Sequence, residues 1–320
     1  MNYKLKKISG DASFREFYRL KKGKKTSIIV HSNKEKFKNL ITYIVINNIL
    51  KKNKVKAPKL ISNRYRQNFI EISDLGKKTF YDYIKKKKDK LKNYKDLIKI
   101  IFKLQNIKLK KNYRLGSFTV KFEKYSTKNL HKESDLFFDW YLKFCFNNQN
   151  LGRIKKILKH ELNRIYKKLY FKNQIFVHRD FHASNIMMKG RHLGLIDSQD
   201  AILGNPLYDV ASLIDDVRIN LPIKLQNQLF KFYHLNSKFK KEKIEKLKND
   251  FDILSVQRNL KILGIFVRLY KRDGKPNYLK YLPHTWNLIE RRLKSPVFKN
   301  FNHLLKKHLE IKTLKKINNL

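Results

Sequence analysis

The spacing of apolar residues divides the chain into two blocks with different secondary structure. Up to residue 75, short apolar runs separated by turns are typical of strands, and one stretch with apolar residues at i, i+3 and i+4 is typical of a helix. The predicted helix covers residues 34–51. Strands are predicted within residues 1–32, on both sides of a hairpin turn at Gly23, and over residues 59–62 and 68–72. The first block is therefore predicted to be a small β-rich lobe of residues 1–75.

The second block, residues 76–320, has mainly helical apolar periodicity. Helices are predicted over residues 79–84, 94–105, 135–146, 151–171, 225–239, 242–269 and 285–293. One hairpin interrupts them, with strands at residues 175–177, 186–188 and 192–196. Together the two blocks predict an α+β chain, with a β-rich N-terminal lobe and a larger, mainly helical C-terminal lobe.

The predicted hairpin carries a cluster of polar residues in an otherwise apolar setting. Asp180 follows the strand at residues 175–177, Asn185 comes five positions later, and Asp197 ends the returning strand. A hairpin of this length brings the end of its returning strand back beside the start of its first strand. These three side chains are therefore predicted to converge. Single Asp and Asn residues often only cap turns, but their joint spacing between apolar strands favours a site.

The residue types in this cluster suit phosphoryl transfer. Asn185 and Asp197 offer the hard oxygen ligands that Mg²⁺ prefers when substrate phosphates complete its coordination. Asp180 is then left to accept the proton of an attacking hydroxyl. The cluster does not suit zinc, because the histidines lack metal-site spacing and there is a single cysteine, Cys145. A serine nucleophile is also disfavoured, because no G-x-S-x-G motif is present.

Composition changes this picture little. The chain has 75 Lys and Arg against 26 Asp and Glu, a formal charge of +49. The lysines are spread along the whole chain, and Asn and Ile are also abundant, which indicates A/T-rich codons rather than a nucleic-acid surface. Weak nonspecific attraction of polyanions is expected, but no specific nucleic acid. The N-terminus lacks a signal-peptide core, and no apolar run is long enough to cross a membrane, so we expect a soluble, cytoplasmic protein of unspecified oligomeric state.

The cluster also resembles a known family. Residues 178–185, HRDFHASN, are similar to the H-x-D-x-x-x-x-N catalytic loop of the aminoglycoside-phosphotransferase-like branch of the protein-kinase-like fold. Residues 193–213, LGLIDSQDAILGNPLYDVASL, resemble the metal-binding segment and following helix of that branch. Other segments resemble the bacterial N-acetylmuramate/N-acetylglucosamine anomeric kinases. They are GDASFREFYRL (residues 10–20), EISDLG (71–76), DLFFDWYL (135–142), QRNLKILGIFVRL (257–269) and RDGKPNYLKYLP (272–283).

The resemblance implies a bilobal kinase-like fold that binds ATP and Mg²⁺ between its lobes. It implies a role for each matching residue. Asp180 would be the catalytic base and Asn185 and Asp197 the metal ligands, with His178 and Asp209 as structural supports; Ser13 would lie in the loop over the ATP phosphates, and Ser73 and Leu75 in the hinge that reads adenine. Arg179, His182, Gln199, Asp200 and Arg258 are candidates for sugar contacts.

Two positions depart from the kinase pattern. The third strand of most kinase-like folds carries a lysine that holds the ATP phosphates, whereas here the strand reads SIIVHS and His31 lies near the expected place. Lys34 and Lys36 are possible substitutes, and Glu35 is the available acidic partner. Ser198 also stands where an aromatic residue usually follows the metal-binding aspartate.

The expected activity is transfer of the ATP γ-phosphoryl group to the anomeric hydroxyl of N-acetylmuramate or N-acetylglucosamine, in cell-wall sugar recycling. Two alternatives remain open. One is a kinase of another small alcohol, such as an aminoglycoside, choline or homoserine. The other is a nonenzymatic polyanion- or RNA-binding protein that keeps a kinase-like scaffold.

Overall fold

The computed structural model describes residues 3–8, 15–32, 38–146, 150–190 and 192–309. These residues divide into two compact units, Met1–Glu123 with Ile175–Leu203, and Lys124–Gln174 with Gly204–Leu320. The hairpin that carries the polar cluster therefore belongs to the same unit as the N-terminal sheet. The domain boundary expected at residue 75 stays a prediction.

The first unit is built around a five-stranded antiparallel sheet with the order β1-β2-β3-β5-β4. Its strands are β1 (Tyr3–Ile8), β2 (Arg15–Lys22), β3 (Lys25–Ser32), β4 (Leu60–Arg64) and β5 (Phe69–Ser73). The predicted turn between β2 and β3 is present, and Gly23 takes the left-handed φ of +56° that a tight hairpin favours. A 3₁₀ turn at Tyr65–Gln67 joins β4 to β5.

One helix packs on this sheet. The described part of helix α1 is Lys38–Lys52, and the predicted start at residue 34 falls in residues 33–37, which lie outside the described residues. Apolar side chains of α1 and of the sheet form a buried cluster. Its members are Val30, Leu40, Tyr43, Ile44, Ile70 and Ile72, with Phe17 packed against them. This core fixes one face of β2 and β3 against the helix.

The rest of the first unit consists of short elements. They are β6 (Lys78–Thr79), α2 (Phe80–Ile84), α3 (Leu91–Gln105), β7 (Asn112–Leu115), β8 (Phe118–Lys121), β9 (Ile175–Val177), β10 (Ile186–Lys189), β11 (His192–Leu195) and β12 (Ile202–Gly204), which ends at the first residue of the second unit. Strands β11, β10 and β6 form one sheet, while β9 pairs with β12 and β7 with β8. Thr79 caps α2 in a reciprocal capping box with Asp82.

The second unit is helical. Its helices are α4 (Thr127–Leu136), α5 (Lys143–Cys145), α6 (Leu151–Tyr166), α7 (Leu207–Ile214), α8 (Ile223–Asn236), α9 (Ile244–Asp273), α10 (Leu282–Arg292) and α11 (Lys299–His308). A π-helical segment, Phe137–Leu142, joins α4 to α5. Short 3₁₀ turns at Pro276–Tyr281 and Pro296–Phe298 precede α10 and α11. No helix of the described ranges is both long and apolar enough to cross a membrane.

Helix α9 forms the centre of this unit. It ends where basic residues of the last turn meet Gly274, which takes the left-handed φ of +63° common after a helix C-terminus. Gly264 lies directly against the chain at Leu136, since a Cβ atom there would be 2.2 Å from the Leu136 carbonyl oxygen. Close approach of α9 to the start of the π-helical segment therefore requires glycine.

The observed elements confirm the predicted α+β class, with a β-rich N-terminal part and a mainly helical C-terminal part. One difference from the predicted helices is at the end of α6, which stops at Tyr166 rather than residue 171. The amides of Tyr170 and Phe171 donate instead to the buried carboxylate of Asp250, at 2.8 and 2.9 Å. Hydrogen bonds to Asp250, about 80 positions later in the chain, therefore hold Tyr170 and Phe171 outside the helix.

Candidate active site

The loop between β9 and β10 is folded by its own backbone hydrogen bonds. The His182 amide donates to the Asp180 carbonyl oxygen at 3.0 Å, and the Asn185 amide donates to the His182 carbonyl oxygen at the same distance. Phe181 and Ala183 are fully buried, which anchors the loop, whereas Asp180, between them and the strand, is partly exposed. The role expected for its carboxylate stays a prediction.

Asn185 links this loop to the chain that follows β11 and carries Asp197. Its side-chain Nδ2 donates to the Asp180 carbonyl oxygen at 3.1 Å and lies 3.3 Å from His182 Nε2. The Asn185 carbonyl oxygen accepts from the Ile196 amide at 3.1 Å, next to the β10–β11 ladder. The structure therefore brings the loop of Asp180 and Asn185 beside the chain at Asp197, as the hairpin spacing predicted.

Two residues of this region have a left-handed backbone. Arg179 takes a φ of +72° and Asp197 a φ of +62°. Residues other than glycine adopt this conformation only where the surrounding structure enforces it, and such residues are common at functional sites. One such restraint is next to Asp197, because the buried Ser198 hydroxyl donates to Asn47 Oδ1 of α1 at 2.7 Å. Ser198, which stands where the kinase pattern has an aromatic residue, thus makes a polar contact with α1.

Arg15, at the start of β2, contacts the same segment. Its Nη2 lies 2.5 Å from Asp197 Oδ1, and its Nη1 donates to Gln199 Oε1 at 3.0 Å. The guanidinium carbon is also 5.8 Å from the centre of the Tyr43 ring, and burial raises the pKa of Tyr43 to about 12, which keeps that ring neutral. Sequence reasoning did not single out Arg15; its place in the segment of residues 10–20 was the available signal.

The strand position expected to carry a lysine does not face this site. In the β2–β3 ladder Arg15 is opposite Ser32, and Glu16 is opposite His31. Since side chains alternate between the faces of a sheet, His31 lies on the face away from Arg15, where its Nδ1 is 3.6 Å from Glu16 Oε2. His31 is thus not a substitute for the lysine. Ser13, Lys34, Glu35 and Lys36 lie outside the described residues.

Four of the five predicted sugar-contacting residues lie around the cluster. Arg179 Nη1 donates to the Asp200 carbonyl oxygen at 3.3 Å, and Gln199 Nε2 donates to Asp200 Oδ2 at 3.0 Å. His182 adjoins Asn185, as described above. The fifth, Arg258, is a buried residue of α9 in the second unit, where Asp209 of α7 is also buried. His178 is fully buried at the start of the loop. The roles expected for these residues stay predictions.

The predicted hinge is held by an ion pair from the sheet. Arg19 of β2 contacts Asp74 with two nitrogens, at 2.7 and 3.3 Å, and donates to the Gly76 carbonyl oxygen at 2.8 Å. Burial acts to raise the pKa of Asp74, but hydrogen bonds from Arg19 and from the Gly76 amide outweigh it and lower that pKa. The Ser73 amide donates to the Lys59 carbonyl oxygen, and the Lys59 amide donates to the Ser73 hydroxyl, both at 2.8 Å. Leu75 packs on Gly194, where a Cβ atom would be 2.8 Å from its side chain.

The donor atoms of the cluster fit a magnesium ion. The side-chain Nδ2 of Asn185 is hydrogen-bonded to the Asp180 carbonyl oxygen, which orients the side-chain amide. Its Oδ1 is therefore the atom left for a metal. Asp197 supplies a carboxylate, and its side chain is 35% exposed. One carboxylate and one amide oxygen, with the remaining positions left to water and phosphate, form a typical magnesium donor set.

Comparison with known proteins places the chain in a family. The sequence profile of the phosphotransferase enzyme family matches residues 4–247. An N-acetylmuramate/N-acetylglucosamine kinase of Pseudomonas aeruginosa is 26% identical over 287 residues, which cover 88% of this chain and 81% of that protein. A protein of the same name from Neisseria meningitidis is 24% identical, with 88% of this chain and 84% of that protein covered.

A solved structure shows the same fold at low identity. Aminoglycoside phosphotransferase APH(4)-Ia in complex with ADP and hygromycin B superposes with a TM-score of 0.62 at 10% identity, covering 92% of this chain and 94% of that one. The predicted kinase-like fold is therefore confirmed. The family profile, which spans more than half of the sequence, shows that the chain belongs to the phosphotransferase enzyme family as a small-molecule kinase.

Proposed function

We propose that the chain transfers the γ-phosphoryl group of ATP to the anomeric hydroxyl of N-acetylmuramate or N-acetylglucosamine. The observation that carries this proposal is the similarity, over 88% of the chain, to proteins named as kinases of these two sugars. The convergence of Asp180, Asn185 and the chain at Asp197 in one unit supports the same chemistry. We place the reaction in the cytoplasm, where ATP is available.

In the proposed reaction Asp180 accepts the proton of the anomeric hydroxyl. The sugar oxygen forms a bond to the γ-phosphorus, the bond between that phosphorus and the bridging oxygen breaks, and ADP leaves with the electron pair. Magnesium, held by Asn185 and Asp197, would neutralise charge on the phosphates. The hydrogen bond from Asn185 Nδ2 to the Asp180 carbonyl oxygen restrains the backbone of the base during this step.

The product, a sugar 1-phosphate, has the chemical form that nucleotide-sugar synthesis consumes. We therefore propose a role in returning cell-wall sugars to precursor synthesis. A positively charged protein suits N-acetylmuramate in particular, because that sugar carries a carboxylate.

The direct test is to incubate the protein with Mg·ATP and each sugar, and to follow products by phosphorus NMR. The expected product has a new phosphorus resonance coupled to the anomeric proton. The methyl glycoside of N-acetylglucosamine, which has no free anomeric hydroxyl, serves as the matched control and must remain unphosphorylated. A phosphorus signal coupled to the C6 protons, or transfer to the methyl glycoside, would show that another hydroxyl is the acceptor.

A kinase of another small alcohol is the nearest alternative. The same reaction, run with choline, homoserine and an aminoglycoside, separates it by ADP release. Aminoglycosides are cations and are best bound by acidic pockets, whereas acidic residues are scarce in this chain. We expect ADP release to be fastest with the N-acetyl sugars.

A nonenzymatic polyanion binder is the alternative from another class. It is separated by Asp197→Ala, which removes one proposed metal ligand. Mg²⁺-dependent ATP binding, measured by calorimetric titration with and without a chelator, should be present in the parent and weakened at least tenfold in the variant. Equal ATP binding by parent and variant would mean that Asp197 holds no metal.

A further inference from the structure

We propose that Arg15 is the phosphate-binding cation of this enzyme and takes the place of the lysine that its third strand lacks. Its guanidinium contacts the Asp197 carboxylate, and binding of Mg·ATP moves it to the nucleotide phosphates and leaves Asp197 to the metal. This inference rests on the proposed function only in requiring ATP as the phosphoryl donor.

The surroundings of Arg15 preorganise it for an anion. Its side chain is 10% exposed, and its guanidinium carbon lies 5.7 Å from the Phe17 ring centre and 5.8 Å from that of Tyr43. Both rings belong to the buried cluster between the sheet and α1. A guanidinium stacked on aromatic rings and largely removed from water keeps its charge and has few alternative positions.

The third strand offers no rival cation on this face. The residues of β3 that share the face of Arg15 are the uncharged Thr26, Ile28, Val30 and Ser32. His31 faces the other way, toward Glu16. Of β2 and β3, Arg15 is thus the charged residue whose contacts reach the segment that follows β11.

The contacts of Arg15 are those expected of an exchangeable site. Its two terminal nitrogens reach Asp197 Oδ1 and Gln199 Oε1 at 2.5 and 3.0 Å. A metal ion bound to the Asp197 carboxylate neutralises part of its charge, and this weakens the attraction between that carboxylate and Arg15. The phosphates that accompany the metal supply new anionic oxygens, which the planar guanidinium binds in pairs. Exchange of partners thus couples metal binding to nucleotide binding.

The test uses Arg15→Gln and Arg15→Lys in the full chain. Titration calorimetry measures the affinity of each for Mg·ATP and for adenosine, which has no phosphates. We expect Arg15→Gln to weaken Mg·ATP binding at least tenfold and to change adenosine binding less than twofold, with Arg15→Lys in between. Lys21→Gln, on the exposed end of the same strand, is the control with an equal charge change and should match the parent.

A second readout is the binding of Mn²⁺ without nucleotide, followed by electron paramagnetic resonance. Arg15→Gln removes the cation that competes for Asp197, so this variant should bind Mn²⁺ more tightly than the parent. A change in the opposite direction to that of Mg·ATP is not expected from a merely damaged fold.

Three results would overturn the inference. They are unchanged Mg·ATP affinity in Arg15→Gln, equal weakening of Mg·ATP and adenosine, and Mn²⁺ binding that weakens together with Mg·ATP. A parent that binds Mg·ATP but phosphorylates no N-acetyl sugar contradicts the proposed substrate instead, and the titrations still decide the role of Arg15. A parent that binds no Mg·ATP contradicts both.

Discussion

At the scale of single residues, the spacing of Asp180, Asn185 and Asp197 was sufficient to predict that the loop of the first two lies beside the chain at the third, because this depends only on a hairpin between apolar strands. The partner that the structure gives Asp197 was not predictable in the same way. Arg15 lies 182 positions earlier, and no local sequence pattern predicts a contact over that separation. The face of His31 became clear only from the β2–β3 register.

The ion pair between Arg19 and Asp74 leads to a prediction about pH. The folded protein lowers the pKa of Asp74, so its carboxylate stabilises the fold above the ordinary carboxyl pKa of about 4, and this stabilisation is lost as the pH falls through the lowered value. Asp74→Asn should therefore reduce the free energy of unfolding at pH 7 by about 1–3 kcal/mol, and the difference from the parent should shrink toward pH 3.

Thermal or urea unfolding across this pH range measures the difference. Asp96→Asn is the control, since Asp96 is an exposed residue paired only with the neighbouring Lys99, and such pairs contribute little. A deficit in Asp74→Asn that stays constant down to pH 3 would contradict the lowered pKa.

At the scale of elements, the long helices were predicted, namely α1, α3, α6, α8 and α9, whereas several shorter or interrupted ones were not. The predicted helix over residues 135–146 is instead the end of α4, the π-helical segment Phe137–Leu142 and α5, because one extra residue in a turn leaves the apolar pattern almost unchanged. The four-residue strands of the β7–β8 hairpin were missed, since they are too short to show alternation. Helix α11 was missed as well.

Packing of α9 on the π-helical segment leads to a second prediction, which compares a glycine in tight contact with a glycine in open space. Gly264→Ala would force a Cβ atom to within 2.2 Å of the Leu136 carbonyl oxygen, whereas nothing lies within 4 Å of a Cβ atom at Gly152 in α6. We expect Gly264→Ala to destabilise the protein by about 1–3 kcal/mol, and Gly152→Ala to stabilise it by up to about 1 kcal/mol through helix propensity.

Scanning calorimetry of the two variants beside the parent shows the sign of each effect. Because the chemical change is the same in both, a shift of equal sign would refute the packing argument. Unchanged stability in Gly264→Ala would mean that α9 and the chain at Leu136 can separate without cost.

At the scale of the whole molecule, the formal charge of +49 is the property that the fold explains least. Several of the described acidic residues are used in ion pairs or buried contacts, such as Glu133 with Lys261 and Asp215 with Arg292. Most lysines therefore have no acidic residue to pair with. We therefore expect the charge to attract polyanions without selectivity, as suits a composition set by codon usage.

From the high positive charge we expect salt-sensitive, sequence-independent RNA binding. Binding of a random-sequence RNA should fall by about 10³-fold between 50 and 200 mM salt, and RNAs of different sequence should bind alike in filter assays. Mg·ATP binding, which depends on a built site, should change far less over the same range. RNA affinity that persists at 200 mM salt and distinguishes sequences would favour the polyanion-binding scaffold.

The central claim is that Asp180 is the base of a phosphoryl transfer, and Asp180→Asn tests it most directly. This change keeps the size of the side chain and removes its ability to accept a proton. Turnover with Mg·ATP and N-acetylglucosamine should fall by at least about 10³-fold, while the affinity for Mg·ATP and the melting temperature stay close to those of the parent. Turnover within tenfold of the parent would contradict the claim.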